Sequence, residues 1–382
     1  MKVRGLIAVL GLAIAACSPK YNPFVDEPDP RTLPAALVEI NAPSAQPRLL
    51  WKESIGKAGS YVLTPAVVGD AAFAASTDGS LARFDGHGRQ IWKISTGQTL
   101  SGGVGADGKL VVVGTAKGKV LAFDADTGAP RWQAQASSEI LAAPVLGEGT
   151  VVVRSGDAHL LALDPADGKI RWSYERPTPA LGLRNNAGVI IASGGVLAGF
   201  PGGKLAVISL ANGALIWESA VTVPRGSTEL ERVADIASEP VLKDHQVCAV
   251  AYQGRVACFE QNNGSAQWSR EVSSIHGLDM DARFVFVSED KGAVQAFDRS
   301  TGSSTWRQVK LANRRISRPL AVNGFVVVGD FQGYVHVLRR DDGAFAARIS
   351  TDGSPIIADP VAYGRGFLVQ TSDGGLYAYT LD

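Results

Sequence analysis

The sequence is poor in the residue types on which most catalytic and metal sites depend. Its 382 residues include three cysteines, two methionines and five histidines. The histidines are scattered, with neither an H-x-x-x-H pair nor paired cysteine spacing, so we predict no metal site. The G-x-S-x-G motif of serine hydrolases is also missing. We therefore expect no metal, no cofactor and no catalytic residues.

The chain also lacks an excess of positive or negative charge. The 37 Lys and Arg residues balance 37 Asp and Glu residues, and charged residues make up 19% of the chain, against about 25% in an average protein. A neutral chain has no overall positive field to draw it onto nucleic acid. We therefore expect no nucleic-acid partner.

Tryptophan, by contrast, recurs at regular spacing. Successive tryptophans are 38 to 51 residues apart, which indicates a repeat of about 42 residues. Each repeat reads like GKVLAFDADTGAPRW, in which a D-x-x-x-G turn precedes the tryptophan strand, and a seventh copy has Ala347 in the tryptophan position. The tryptophans are Trp51, Trp92, Trp132, Trp172, Trp217, Trp268 and Trp306. We interpret them as packing residues between repeats.

Each repeat predicts four strands with period-two alternation and no helix, which excludes an α/β fold. Residues 374–382 match the front half of an eighth copy, and residues 49–54 match its back half. Eight such sheets arranged radially form an all-β, eight-bladed β-propeller over residues 49–382. The N-terminal strand would complete the C-terminal blade and close the ring without a covalent bond.

Residues 1–16 have the outline of a secretory signal peptide, with Lys2 and Arg4 before a short apolar run. The run ends in Ala-Ala followed by Cys17, which resembles the lipobox of bacterial lipoproteins. That resemblance implies lipidation of Cys17 and, because residue 18 is Ser, sorting to the outer membrane on its periplasmic side. An ordinary signal peptide cut at the same place is the alternative. The proline-rich residues 17–48 are predicted to form an extended tether.

Two intervals between tryptophans are longer than the others, and both contain their extra residues after the tryptophan strand. These segments, residues 173–186 and 219–238, connect consecutive blades and so emerge on the same face of a propeller. Long loops on a rigid scaffold commonly carry binding residues. The spacing therefore predicts a binding surface formed by two neighbouring loops.

Cys248 and Cys258 flank a predicted hairpin turn at positions of equal parity, so their side chains can lie on one sheet face. An oxidising compartment permits a disulfide between them. Directly opposed cross-strand positions are strained for such a bond, however, and aliphatic core residues take these positions in other repeats. Both alternatives stay open, and the strain favours two buried thiols.

The A-x-D-x-x-T-G-x-x-x-W type of repeat resembles the propeller of the quinoprotein (PQQ-dependent) dehydrogenases. That resemblance implies a periplasmic enzyme as an alternative function. The chain has no adjacent cysteine pair and no insertion large enough to build the quinone and calcium site of those enzymes. The sequence therefore favours a protein that is not an enzyme.

The lipobox-like start, the tether and eight PQQ-like repeats together resemble the BamB family, the lipoproteins of the outer-membrane β-barrel assembly machinery (the BAM complex). The resemblance extends over the whole predicted mature chain. It implies a scaffold that binds the periplasmic POTRA domains of BamA and assists insertion of β-barrel proteins. Contact with unfolded outer-membrane clients is a further possibility within that family role.

The same resemblance suggests the residues that contact BamA. Leu181, Leu183 and Arg184 match an L-x-L-R segment in the first long loop, and Asp235 matches half of a D-x-D segment in the second. Ala237 departs from that pattern, which removes one polar contact. The alternative is that the two leucines tuck under the loop while Arg184 pairs with a carboxylate of its own chain.

Overall fold

The computed structural model describes residues 32–382. This part of the chain contains thirty-two β-strands. The predicted signal peptide and the lipidation at Cys17 lie outside these residues. Within residues 32–382, no helix is both long and apolar enough to cross a membrane. The strands are, in chain order, β1 Pro47–Ser54, β2 Ala66–Val68, β3 Ala71–Ala75, β4 Ser80–Phe84, β5 Gln90–Ser95, β6 Leu100–Ala106, β7 Leu110–Thr115, β8 Lys119–Asp124, β9 Pro130–Gln135, β10 Val145–Gly147, β11 Thr150–Arg154, β12 Leu160–Leu163, β13 Ile170–Tyr174, β14 Val189–Ala192, β15 Gly195–Phe200, β16 Lys204–Ser209, β17 Leu215–Ala220, β18 Val241–Lys243, β19 Gln246–Val250, β20 Arg255–Glu260, β21 Ala266–Glu271, β22 Gly277–Met280, β23 Phe284–Ser288, β24 Val294–Asp298, β25 Ser304–Gln308, β26 Leu320–Val322, β27 Phe325–Gly329, β28 Tyr334–Arg339, β29 Phe345–Ser350, β30 Val361–Tyr363, β31 Gly366–Gln370 and β32 Gly375–Leu381.

These strands form eight separate four-stranded antiparallel sheets, which are the blades of a propeller. Blades 1 to 7 are β2–β5, β6–β9, β10–β13, β14–β17, β18–β21, β22–β25 and β26–β29, and blade 8 contains β30, β31, β32 and β1. The first strand of a blade contacts that of the next, as β2 does with β6 and β30. The predicted eight-bladed architecture is confirmed.

The hairpin before each tryptophan strand is built by the D-x-x-x-G turn of the repeat. In blade 3 the Asp164 carboxylate accepts the backbone N–H of Ala166 at 2.8 Å. Gly168 closes the turn at φ +74°, a left-handed conformation that favours glycine. A Cβ at this position would lie 2.5 Å from the indole of Trp132 in the preceding blade. The turn glycine thus shapes the hairpin and lets the neighbouring blade approach.

The tryptophans pack between blades, as the sequence predicted. The indole N–H of Trp132 donates to the carbonyl of Pro165 in the next blade at 2.8 Å, and that of Trp172 donates to Leu210 at 2.7 Å. The apolar core is correspondingly divided into eight layers, each lying between two blades. Every blade therefore depends on its two neighbours for burial.

The ring is closed by β1, which pairs with β32 from Pro47 to Ser54. The strand begins two residues before the predicted start at residue 49. Trp51 lies in its centre, 5% exposed, and its indole N–H donates to the hydroxyl of Tyr363 at 3.2 Å. The prediction that an N-terminal strand completes the C-terminal blade is confirmed.

The predicted tether is wrong in its extent. Residues 35–46, which we name the strap, lie against blade 7 instead of extending freely. The backbone N–H of Ala35 donates to the carbonyl of Ala312 at 2.8 Å, and Ala45 is 3% exposed within the core layer between blades 7 and 8. Proline-rich composition indicates an extended backbone, and it does not reveal that this backbone has a surface to bind.

The structure also contradicts the favoured alternative for the cysteine pair. Cys248 and Cys258 are directly opposed on β19 and β20, with their Cα atoms 4.1 Å apart, and they form a disulfide. Both residues are fully buried, in line with the core position predicted for them. The backbone spacing of the opposed pair brings the two sulfurs within bonding distance.

Candidate partner-binding site

The connections from the fourth strand of one blade to the first strand of the next all emerge on one face of a propeller, which we name the loop face. Its two longest members within residues 32–382 are residues 175–188, between blades 3 and 4, and residues 221–240, between blades 4 and 5. We name them loop A and loop B. They are adjacent because both flank blade 4, and both begin two residues later than the sequence predicted.

Loop A and loop B are joined by the carboxylate of Asp235. Its Oδ2 accepts the backbone N–H of Leu183 in loop A at 2.6 Å, and its Oδ1 accepts the N–H of Gly202 in blade 4 at 3.0 Å. Asp235 is 1% exposed. Hydrogen bonds that backbone N–H groups donate to a buried carboxylate are among the stronger ones in proteins. The carboxylate therefore fixes the shape of loop A.

Arg154 lies close to the same carboxylate. Burial lowers the pKa of Arg154 to about 10, and the negative charge of Asp235 opposes that shift. The Arg154 guanidinium also donates to the carbonyl of Ala187 at the end of loop A, at 3.2 Å. The second half of loop A is thus held by a buried acid at Leu183 and by a buried base at Ala187.

The predicted role of Asp235 as a direct partner contact does not fit this geometry. Both carboxylate oxygens are occupied by N–H groups of the same chain, and the residue is buried. A partner would have to open loop A to reach it. We therefore assign Asp235 a positioning role, which acts on Leu183 and its neighbours.

Arg184 stands at the surface in a defined orientation. Its Nε and Nη2 each donate to one oxygen of Glu139 at 2.7 Å, a bidentate pair, and its guanidinium lies 5.9 Å from the ring centre of Tyr61. The Arg184 guanidinium lowers the pKa of the Glu139 carboxyl. The side chain of Arg184 is nonetheless 61% exposed. Because Glu139 already orients the guanidinium, a partner that binds to Arg184 loses little conformational entropy.

The two leucines of loop A differ in exposure. Leu181 is 45% exposed, whereas Leu183 is half-buried and lines the cavity at the channel mouth. The alternative in which both leucines tuck under the loop is therefore not what the structure has, although its ion pair for Arg184 is present. Loop A presents an exposed apolar side chain, Leu181, and an oriented arginine, a residue type enriched at protein interfaces.

Sequence reasoning missed two apolar residues of loop B. Val223 is 64% exposed and Leu230 is 72% exposed, the largest exposed fraction among the large apolar side chains of the described chain. A turn between them is held by Glu231, whose carboxylate accepts the N–H groups of Ser227 and Thr228 at 2.7 and 3.1 Å. The available signal was a leucine flanked by polar residues in S-T-E-L-E-R.

The channel mouth on the loop face holds a cavity of about 780 Å³. Arg318 lies at its wall and donates to Glu239 at 3.1 Å, while Asp279 accepts the backbone N–H of Ala321 at 2.7 Å. Burial raises the pKa of Asp359, beside Arg318, to about 6. These carboxylates already have cationic or N–H partners from the chain. Residues 32–382 contain no group of three His, Cys, Asp or Glu side chains placed to hold a metal ion.

The positioning role of Asp235 predicts the effect of Asp235→Ala. The change leaves two buried N–H groups without an acceptor and removes the charge that offsets Arg154, so the free energy of unfolding should fall by about 2–5 kcal/mol. Chemical denaturation measures that loss, and hydrogen exchange should show faster exchange at Leu183. Glu229→Ala, on the exposed part of loop B, is the matched control and should leave both values unchanged. Full protection of the Leu183 amide in Asp235→Ala would contradict the positioning role.

Comparison with known proteins identifies the family. The family described as "Outer membrane protein assembly factor BamB" matches residues 77–308. A protein of that name from Bordetella pertussis is 41% identical over 376 residues, covering 98% of this chain and 96% of the relative. The one from Nitrosomonas eutropha is 44% identical over 87% of this chain and 81% of its own length.

Solved structures agree with the sequence comparison. The crystal structure of BamB from Moraxella catarrhalis is similar with a TM-score of 0.82 and 28% identity, covering 88% of this chain and all of that chain. Quinohemoprotein alcohol dehydrogenase from Comamonas testosteroni has a TM-score of 0.72, 87% and 76% coverage, and 12% identity, a likeness that shows the fold alone.

The relatives are named assembly factors, which supports the prediction that the chain is not an enzyme. The family match covers more than half of the chain, and the Bordetella pertussis relative matches it over 96% of its own length. This chain belongs to the BamB family of outer membrane protein assembly factors.

Proposed function

We propose that this protein is a scaffold of the outer-membrane β-barrel assembly machinery, the BAM complex. In this role it binds the POTRA domains of BamA through loops A and B and assists insertion of β-barrel proteins. Lipidation of Cys17 would anchor it to the outer membrane, facing the periplasm. The names of its relatives support the assembly role, and the family resemblance of loop A supports the choice of partner.

The observation that carries the proposal is the construction of loop A. Asp235 and Arg154 are hydrogen-bonded to the backbone of loop A, so the loop that carries Leu181 and Arg184 has a defined conformation before a partner binds. A prepared loop loses little conformational entropy when a partner binds, and more of the interaction free energy then appears as affinity. This arrangement suits a small interface with an apolar contact beside a charged one.

Arg184 gives the interface a defined polar requirement. Its guanidinium is paired with Glu139 on one edge and remains 61% exposed. A partner that offers a carboxylate or carbonyl oxygen can join this pair without desolvating an isolated charge. A partner surface rich in lysine and arginine would be repelled. We therefore expect the contacting POTRA surface to present acceptors opposite Arg184 and an apolar patch opposite Leu181.

The proposal is tested by recovery of the full-length protein from detergent-solubilised membranes of its own organism, followed by identification of the proteins that accompany it. BamA and other β-barrel assembly components should be the main partners. The recovered protein should show no dehydrogenase activity and no change in absorbance on addition of pyrroloquinoline quinone with Ca²⁺. Recovery without any assembly component, or activity with quinone, would contradict the proposal.

A further inference from the structure

The junction between blades 7 and 8 is built differently from the other seven. At those seven junctions, the indole of one blade packs on the turn glycine of the next, close enough that a Cβ on the glycine would lie within 3.0 Å of the ring. The pairs are Trp51–Gly88, Trp92–Gly128, Trp132–Gly168, Trp172–Gly213, Trp217–Gly264, Trp268–Gly302 and Trp306–Gly343. An indole on a turn glycine is therefore the standard contact between blades.

Both parts of this contact are missing between blades 7 and 8. Ala347 of β29 lies opposite Val337 in the register that Trp306 has opposite Ala296 in blade 6, so alanine occupies the tryptophan position. The last two strands of blade 8, β32 and β1, come from opposite ends of the propeller sequence and have no hairpin turn between them. The junction between blade 7 and blade 8, the blade in which β1 and β32 close the ring, thus lacks the usual packing residue.

The C-terminal end of the strap occupies this place. Ala45 is buried in the same core layer as Ala346 and Ala347. The backbone N–H groups of Ser44 and Ala45 donate to the carbonyl of Ala346 at 3.0 and 3.4 Å. The N–H of Gln46 donates to the carbonyl of Asp382 at 3.2 Å, which joins the two ends of the propeller. An indole at position 347 and the strap would compete for the same space.

The hydrogen bond of the missing indole has a substitute as well. At six of the other seven junctions the indole N–H donates to a carbonyl just after the third strand of the next blade, such as Ala125 for Trp92 at 3.0 Å. Trp51 is the exception, since it donates to the hydroxyl of Tyr363 in its own blade. The corresponding carbonyl of blade 8 belongs to Leu381, and it accepts the side-chain amide of Asn323 at 2.6 Å. The polar part of the contact is thus provided by blade 7, and the apolar part by the strap.

Two arginines hold the rest of the strap on blade 7. Arg348 on β29 donates to the carbonyl of Val38 at 2.9 Å. Arg314 donates to the carbonyl of Ala35 at 2.9 Å and is itself held by the buried carboxylate of Asp330 at 2.7 Å. Charged donors form stronger hydrogen bonds with backbone carbonyls than neutral ones do. The strap is therefore bound along its length and not only at its end.

We propose that the strap is the latch of the ring: it replaces the tryptophan contact between blade 7 and blade 8, and its end leads directly into β1, the strand that closes blade 8. Residues 35–46 are then part of the folded ring and not of the tether. Ala35 bonds to Ala312 in the connection from blade 6 to blade 7, so the chain enters on the loop face.

The latch is tested by Ala45→Asp in the full-length protein, with Ala42→Asp as the matched control. Position 45 is buried and position 42 is exposed on the same segment, so the two variants carry the same charge in different surroundings. A carboxylate is costly to bury, so Ala45→Asp should release the strap. Hydrogen exchange at Ser44 and Ala45 should become at least about tenfold faster, and so should exchange in β29 and at the start of β1. Ala42→Asp should exchange like the unchanged protein.

Two results would overturn the latch. One is Ala45→Asp with unchanged exchange in the strap. The other is faster exchange confined to the strap, with β1 and β29 as protected as before. If Ala45→Asp does not fold, Arg348→Met replaces it, because this change removes the bond to Val38 and adds no buried charge. It should speed exchange in the strap and at the junction, and no change at either place overturns the proposal. None of these readouts depends on BamA, so a failure of the latch is separate from a failure of the proposed function.

Discussion

Deletion of residues 49–54 is expected to abolish the cooperative unfolding of the propeller. These residues form most of β1, whose pairing with β32 closes blade 8. Every residue of β32 is buried, and without β1 this strand becomes an open apolar edge. Blades 7 and 1 would then each lose part of a neighbour. Circular dichroism on heating should show no sharp transition, and the variant should aggregate. A deletion variant with the melting temperature of the full chain would contradict the closure.

Single substitutions in the same strand separate burial from strand pairing. Trp51→Ala removes an indole that is 5% exposed and should lower the free energy of unfolding by about 3–5 kcal/mol. Leu50→Ala changes the adjacent residue, which is 46% exposed, and should alter stability by less than about 1 kcal/mol. Equal changes in the free energy of unfolding would show that the contact of Trp51 with blade 1 does not stabilise the junction between blades 8 and 1.

The fold was predictable from sequence because each blade repeats the same physical solution. A turn glycine such as Gly168 and an indole such as Trp132 recur about every 42 residues, and each repeat needs both neighbours to bury its core. The strand and turn pattern of one repeat is weak evidence for a fold, but its recurrence along the chain predicts a propeller. The split of the eighth copy between residues 49–54 and 374–382 followed from the same register, and the structure confirms it.

The strap was not predictable in this way. Its prolines indicate an extended backbone, and residues 35–46 have no copy in the repeat with which to compare them. Burial of Ala45 depends on Ala347, more than 300 positions away, where a small residue leaves room for another chain segment. The sequence did indicate the space that the strap fills, because Ala347 stands where the other repeats have tryptophan. It did not indicate which segment fills that space.

The positions of the two long loops were predictable from the sequence, and the contacts inside them were not. Loop length placed residues 173–186 and 219–238 on one face, and the family resemblance selected Leu181, Leu183, Arg184 and Asp235. Burial of Asp235 could not be read from the sequence, because it results from loop A folding over the carboxylate and donating the N–H of Leu183 to it. Leu230 was missed because a single leucine in a polar loop is weak evidence of exposure.

The most direct test of the partner-binding surface is the affinity of purified full-length protein for the purified POTRA domains of BamA, measured by titration calorimetry. In the variant Leu181→Ala/Leu183→Ala/Arg184→Ala, loss of the apolar contact and of the oriented guanidinium should remove at least about 2 kcal/mol of binding free energy, equivalent to roughly thirtyfold in Kd. The melting temperature should stay close to that of the unchanged protein, because Leu181 and Arg184 are exposed and the carboxylate of Asp235 still accepts the backbone N–H at position 183.

A matched control carries the same kinds of change away from the loop face. Ile170 and Leu215 are 55% and 49% exposed on outer strands. Arg171 is paired with a carboxylate of its own chain, as Arg184 is, although it donates to a single oxygen of Asp164. The variant Ile170→Ala/Arg171→Ala/Leu215→Ala should bind the POTRA domains like the unchanged protein. The account predicts weak binding for the loop A variant and full binding for this control. Equal affinity of the loop A variant and the unchanged protein would contradict it.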